Sequence, residues 1–314
     1  MHGQCIFLTL TYISIAIYFT LYYCRQKKFN IFEENEKITA RARGVYMPVM
    51  TIIGCRMFED EIMHLIENDP EIEEVFIVEN EDCGGIVKKM TEAGLTYTVI
   101  PLEEIPEKSS EKDKGLTLIV YMLELALHAI PENLKKTVYS KVELMAPCSD
   151  GVLLFYGLCG NVLGKIEEDF KALDCRVCIL KEENGEIVDD CIGAVLGGRK
   201  QYLEVLKSCR GVGTFFLTPM WAANWREMIR TSGLSQNPDD ISMSKFVFDY
   251  AGYKRVARVN TGLAYEKEFD ACVKEFSTLF EFEITDLEGT LQLVENCYTK
   301  TKVSVLEACL HSQA

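Results

Sequence analysis

The sequence predicts an α/β fold: a multi-unit, three-layer arrangement of helices on mainly parallel sheets, with cysteine-bearing loops at strand ends. Three observations predict it. Short apolar runs bounded by glycine or polar turns alternate with segments of helical spacing, from PVMTIIGC at 48–55 to FEFEITDLEG at 280–289. The 314 residues are 48% hydrophobic and 26% charged, enough to bury a substantial core and too apolar for disorder. Cysteines recur where apolar runs end: Cys55 follows TIIG, Cys159 follows LLFYGL, and Cys191 follows Asp189-Asp190 after a strand and a polar loop.

The chain opens with Ile6–Tyr23, an 18-residue run without a charge, followed by Cys24-Arg25-Gln26-Lys27-Lys28. That length is the lower limit for a membrane-spanning helix, and the basic flank would face the cytoplasm. A cleavable signal fits less well, because the positive region follows the apolar run. Three readings stay open for residues 1–46: a membrane anchor with the domain facing the cytoplasm, a mispredicted start ahead of Met47 or Met50 with its linker, or an amphipathic or buried element. Without the anchor the expected location is cytoplasmic. Residues 47–145 then read as a first α/β unit and 146–314 as a second α/β region that completes a cleft.

PVMTIIGC is the first strand, and RMFEDEIMHLIEND carries Met57, Ile62, Leu65 and Ile66 at helical spacing up to Asp69-Pro70. EEVFIVEN gives a strand, Ile86–Ala93 a short helix and LTYTVI a strand, and the charged stretch 102–114 an exposed connection. In GLTLIVYMLELALHAIPENLKK the spacing favours helix after Tyr121, with Pro131 stopping or restarting it. GVLLFYG is a buried strand, Val162–Leu173 reads as the helix after it, and CRVCIL is again a strand. A glycine-rich loop and helix follow Cys191. Farther on come the apolar strand of GTFFLTPMWAANW, the aromatic and basic stretch SKFVFDYAGYKRVARVNTGL, and a helix with its following strand in YEKEFDACVKEFSTLFEFEITDLEG.

The formal net charge of −15, without a Lys/Arg-rich stripe, argues against nucleic acid as a partner. Thirteen cysteines are an odd number in a chain too long for a small disulfide scaffold, which favours reduced thiols. In open α/β sheets ligands gather beyond the carboxyl ends of the strands, so Cys55, Cys159 and Cys191 are the candidate metal ligands. Three thiolates with one open position suit an iron–sulfur cluster, 4Fe–4S among the options, or alternatively zinc with a fourth ligand from water or histidine. Cys148, Cys175 or Cys178 would supply a closing ligand in a structural site. Cys175-x-x-Cys178 has metal-ligand spacing but sits at a strand entrance, where alternating side chains make no knuckle, and Cys83-Gly84-Gly85 reads as a turn thiol.

His128, Asp189 and Asp190 are the candidate proton-handling groups; the competing readings are a helix-end hydrogen bond for the histidine and a solvated loop for the acids. Gly157, Gly160, Arg199 and Trp221 are the candidates for touching a bound cofactor. Arg199 belongs to a glycine-rich stretch, Gly193–Lys200, that matches neither a phosphate-binding loop nor a dinucleotide fingerprint. Trp221 and Trp225, with Tyr253 and Tyr265, either line a flat ligand or fill the core.

At Cys55, His128, Tyr156-Gly157-Leu158-Cys159-Gly160, Asp190-Cys191, Gly197, Tyr202 and Gly213-Thr214-Phe215-Phe216-Leu217-Thr218-Pro219-x-Trp221, the chain resembles the DUF1638 family of mostly archaeal and bacterial proteins, over roughly residues 48–260. Relatives commonly carry a histidine where this chain has Asp189. The resemblance implies a setting in anaerobes, methanogens included, near genes for corrinoid-dependent methyl transfer. The three-cysteine arrangement also looks like the cluster sites of quinolinate synthase and the archaeal diphthamide enzyme, without a sequence match to either. The expectation is therefore a cysteine-ligated metalloprotein acting on a small anionic or thiol-containing substrate in one-carbon or corrinoid-linked methyl metabolism. The alternatives are an accessory protein that binds a corrinoid protein or methyltransferase, and an α/β protein whose cysteines are purely structural. A membrane is a partner only if residues 6–23 are a genuine anchor.

Overall fold

A computed structural model describes residues 48–105, 115–233, 237 and 239–311, apart from the side chains of 126, 128 and 309–311. The apolar segment Ile6–Tyr23 lies outside the described residues, and among those described no helix is long and apolar enough to cross a membrane. The described residues form one compact unit.

The first half of the chain builds β1 (Val49–Cys55), α1 (Glu59–Asn68), β2 (Ile72–Val78), α2 (Gly84–Ala93), β3 (Thr98–Ile100), β4 (Leu116–Leu123), α3 (Pro131–Met145), β5 (Gly151–Phe155), α4 (Ile166–Asp169) and β6 (Arg176–Ile179). The second half adds α5 (Cys191–Val195), α6 (Arg199–Ser208), β7 (Gly213–Leu217), α7 (Pro219–Thr231), α8 (Ser242–Tyr250), β8 (Tyr253–Asn260), α9 (Phe269–Phe280), β9 (Glu283–Glu288) and α10 (Gln292–His311). The fold is α/β, as the alternating pattern predicts, with a six-stranded sheet ordered β3-β2-β4-β1-β5-β6 and a three-stranded sheet ordered β7-β8-β9. Every pairing in both sheets is parallel.

The expected division at 145/146 runs through the six-stranded sheet, because β5 pairs beside β1 and β6 beside β5. The change of sheet falls between β6 and β7, and α10 returns to the first sheet at the end of the chain, packing on β5. Strands β1, β4 and β5 lie at the centre, and the fully buried run LTLIVYML of β4 is what a parallel strand covered on both faces requires. The smaller sheet rests on an aromatic core in which Phe215, Trp225, Phe248, Phe276 and Phe280 meet edge to face or tilted.

Two local expectations fail for physical reasons. The helix expected after Tyr121 begins only at Pro131: β4 continues to Leu123, a 3-10 turn occupies Leu125–Ala129, and Pro131 starts α3, where its missing N–H is not needed. Val162–Leu173 holds just the short α4, because Cys159, Gly160 and Asn161 enter with positive φ and the chain settles into turns before Ile166. Cys178 lies within β6 and Cys175 just ahead of it, so the pair forms no knuckle.

Candidate functional site

The path through the large sheet moves outward from β1 through β2 to β3, returns to β4, then continues beyond β1 through β5 to β6. With right-handed crossovers, connections that run in opposite directions across a parallel sheet leave on opposite faces. The ends of β4, β1 and β5 therefore flank a topological switch point, the place where open α/β sheets bind ligands. A cavity of about 580 Å³ occupies it. Cys55 contributes from the end of β1, Glu124, Leu125 and Leu127 from the end of β4, and Tyr156, Cys159 and Asn161 from the loop after β5. Asp189, Asp190, Cys191 and Ile192 close it from the segment entering α5, and Trp221 from the first turn of α7.

Close backbone approach brings two of the cysteine loops together. Leu158 N–H donates to Val188 O at 2.8 Å and Cys159 N–H to Asp189 O at 3.0 Å. A Cβ on Gly157 would stand 2.5 Å from Val188 O and 2.8 Å from Asp190 N, so only glycine permits this pairing. Asp190 then caps α5, its Oδ1 accepting the Gly193 N–H at 2.7 Å, and Cys191 follows as the first helical residue. Across the cavity Pro219 opens α7 behind the N-cap Thr218, whose Oγ1 accepts the Trp221 N–H at 3.3 Å. That placement lets the indole Nε1–H of Trp221 donate to the Cys191 sulfur at 3.4 Å.

Of the three cavity sulfurs, that of Cys191 accepts the indole N–H, and main-chain groups of Met57 and Gly157 act on the Cys55 and Cys159 thiols in the same direction. Burial pushes the Cys55 thiol up to about 12, opposed by the Met57 main-chain N–H on its sulfur. Cys159 is pushed up to about 11 by burial, opposed by the N–H of Gly157. Burial, reinforced by the Asp190 carboxylate, holds Cys191 well above its ordinary value, and the Trp221 indole opposes it. Cysteines elsewhere behave differently: Cys83 and Cys209 point their S–H at the carbonyls of Asn80 (3.1 Å) and Val205 (3.3 Å), and Cys297 both donates to and accepts from the Lys181 backbone.

The structure thus brings Cys55, Cys159, Cys191, Asp189, Asp190, Gly160 and Trp221 around one cavity, with Gly157 at its supporting backbone contact. Arg199 is not in that lining: its guanidinium pairs with Asp189 at 3.1 Å and lies 3.9 Å from Glu186. Asp190 is engaged in capping, which ties its near oxygen to structure. His128 falls in the 3-10 turn after β4, and its side chain lies outside the described residues. Trp225 fills the aromatic core, Tyr253 packs on Phe215 and Phe248, and Tyr265 donates its hydroxyl to Glu67. Among the described residues, no group of three or more His, Cys, Asp and Glu side chains is arranged to hold a metal ion.

Sequence reasoning did not single out Tyr156, Glu124 and the apolar wall of Met57, Phe58 and Leu125 as site residues. The available signal was position: each lies within a few residues of the C-terminal end of a central strand.

No curated protein and no solved structure matches the chain. A family model described as a protein of unknown function, DUF1638, matches residues 122–298, from the end of β4 into α10. The match takes in Tyr156, Cys159, Cys191 and Trp221, while Cys55 precedes it. With more than half of its length matched, the chain belongs to the DUF1638 family.

Proposed function

We propose that the protein is a metalloprotein in which the thiolates of Cys55, Cys159 and Cys191 hold an iron–sulfur cluster or a zinc ion, open on one side to the cavity. The observation that carries this reading is that three cysteines from three separate loops line one cavity, with the indole N–H of Trp221 donated to the Cys191 sulfur. N–H donors on sulfur stabilise thiolates and tune the metals they bind. The described lining contains three carboxylates and no lysine or arginine; Arg199 pairs with Asp189 from outside it, and a cation bound among three thiolates would offset charge that the lining itself does not. The side chains as described do not yet form a ligand set, so loading includes their turning toward one another.

When bound, zinc would activate a substrate thiol as its thiolate, whereas an exposed iron would act as a Lewis acid or electron carrier. The same acidic, aromatic lining favours a neutral or thiol-bearing small substrate over an anion. Because the thiols are protonated at neutral pH, metal uptake releases protons.

The test is the full chain purified under strict exclusion of oxygen, with iron, zinc, acid-labile sulfide and visible absorption measured together. Roughly four irons and four sulfides per chain mark a cubane cluster; about one zinc without sulfide or colour marks a zinc site. Cys159→Ser is expected to lose the metal while keeping the circular dichroism of the fold. Folded wild-type protein without stoichiometric metal, or a variant that retains all of it, would overturn the reading.

A further inference from the structure

Beside the thiol cavity lies a second cavity, of about 740 Å³, and Glu124 and Leu127 line both. One wall of the second cavity is a single face of α3. Asn133, Lys136, Thr137, Ser140 and Lys141 stand at the i, i+3, i+4, i+7, i+8 spacing that stacks side chains on one side of a helix. The remaining walls come from the 3-10 turn after β4 and from the end of α7, which packs on that turn. There Thr231 and Ser232 donate their hydroxyls to Met228 O at 3.1 Å and Ile229 O at 2.7 Å. A polar helix face is ordinarily a convex, solvated surface; the turn and the end of α7 make this one a wall of a cavity.

The two cavities carry opposite charge. The thiol cavity has Glu124, Asp189 and Asp190 without a lysine or arginine, whereas the second has Lys136 and Lys141 with Glu124 as the one carboxylate of its described lining. Among the described residues neither lysine is paired with a carboxylate. The Lys141 ammonium rests 4.9 Å from the ring centroid of the buried Tyr121, which fixes where its charge stands. Asn133, Thr137 and Ser140 add neutral donors to the same face. Ammonium groups backed by neutral donors hold the oxygens of phosphates, sulfonates and carboxylates. We propose that the two cavities are halves of one ligand site, the α3 face holding the oxyanion of a small molecule whose uncharged end enters the thiol cavity. This rests on the reading above only in that a ligand enters the thiol cavity, and it needs no metal. Glu124, shared by both cavities, repels an oxyanion from the acidic half, so the charge pattern also orients the ligand.

The test titrates the full chain, purified without oxygen, with inorganic phosphate and with ω-mercaptocarboxylates of increasing chain length. Affinity is read by calorimetry and entry into the thiol cavity by tryptophan emission, since Trp221 lines that cavity while Trp225 is sealed in the aromatic core. A mercaptocarboxylate of matching length is expected to bind more tightly than phosphate, to be displaced by it, and to change the emission. Lys136→Gln and Lys141→Gln should each weaken both probes about five- to tenfold, Glu124→Gln should tighten them, and rising salt should weaken them. Lys136 is exposed, so its variant keeps the test valid should Lys141→Gln, which leaves the Tyr121 ring uncovered, lose its fold. Wild-type affinity in Lys136→Gln, or no binding of either probe, would overturn the inference. So would phosphate binding with unchanged emission across the whole mercaptocarboxylate series, because the two cavities would then be separate. A chain that binds the probes in this pattern but holds no stoichiometric metal would overturn the metal reading and leave this one standing.

Discussion

Two buried polar regions lie within one molecule and are built on opposite principles. Around Lys89, on α2, the ammonium reaches Glu59 Oε2 at 3.0 Å, Asp60 Oδ1 at 2.7 Å and Glu266 Oε1 at 2.7 Å, with the Met220 sulfur at 2.8 Å. Its partners come from α1, from the loop before α9 and from α7, so one cation ties the elements of the large sheet to those of the small one. Around the thiol cavity there are three acidic side chains, three thiols and a phenol, and the described lining brings no cation of its own. A buried ammonium surrounded by carboxylates finds its counter-charges within the fold and serves structure. On the reading proposed above, a set of soft donors with no cation in its lining takes its counter-charge from a bound metal.

The largest effect is expected from breaking the first region. Lys89→Met leaves Asp60 buried without its cation and Glu59 with Arg56 alone, and removing one partner of such a cluster costs about 3–5 kcal/mol. Denaturant unfolding of the metal-free protein measures it, and a loss under about 1 kcal/mol would mean that the cluster behaves as a solvated one. Metal content per folded chain should stay at the wild-type level, since the cluster lines no part of the cavity. Gly157→Ala reverses that pattern. Its new Cβ meets Val188 O at 2.5 Å and Asp190 N at 2.8 Å, an overpacking expected to cost about 1–3 kcal/mol and to force apart the loops that carry Cys159 and Cys191. Metal content per folded chain should therefore fall with Gly157→Ala, and equal retention in both variants would erase the distinction between the regions.

The same contrast explains what the sequence discloses. Cys55, Cys159 and Cys191 are legible because each ends or follows an apolar run at a glycine or polar turn, and a parallel sheet gathers such ends on one edge. Tyr156 reads as one more apolar residue of LLFY, since nothing local reveals that its hydroxyl is unpaired. Arg199 looks like a ligand-binding cation in a glycine-rich stretch, yet the fold spends it on Asp189. Lys89 sits in a Lys-Lys pair that reads as helix surface; its partners lie on other elements, 29 and 131 residues away for Asp60 and Met220. Helix α10 carries little amphipathic contrast in QLVENCYTKTKVSVLEACLH, and its place on the large sheet follows from tertiary packing alone. Local pattern discloses strand ends; it does not disclose which buried groups find partners.

Glu61 offers the finest test, because it stands next to the Lys89 cluster without belonging to it. Its side chain is 2% exposed, and among the described residues Oε2 has no hydrogen-bond partner. Burial, with the Asp60 carboxylate beside it, raises Glu61 from its ordinary 4.5 to about 8, while Lys89 pulls the other way. The folded state therefore holds this proton more tightly than the unfolded chain does. Its contribution to stability is fully present below about pH 4.5 and is lost progressively as pH rises through about 8. Glu61→Gln keeps the shape and stays neutral throughout, so it should remove this decline: the variant gains stability relative to wild type between pH 5 and 8, and the difference levels off above. Melting temperatures of both proteins across that range decide it. Parallel curves would show that Glu61 is ionised in the folded protein and shares the Lys89 cation, which would extend that cluster by one carboxylate.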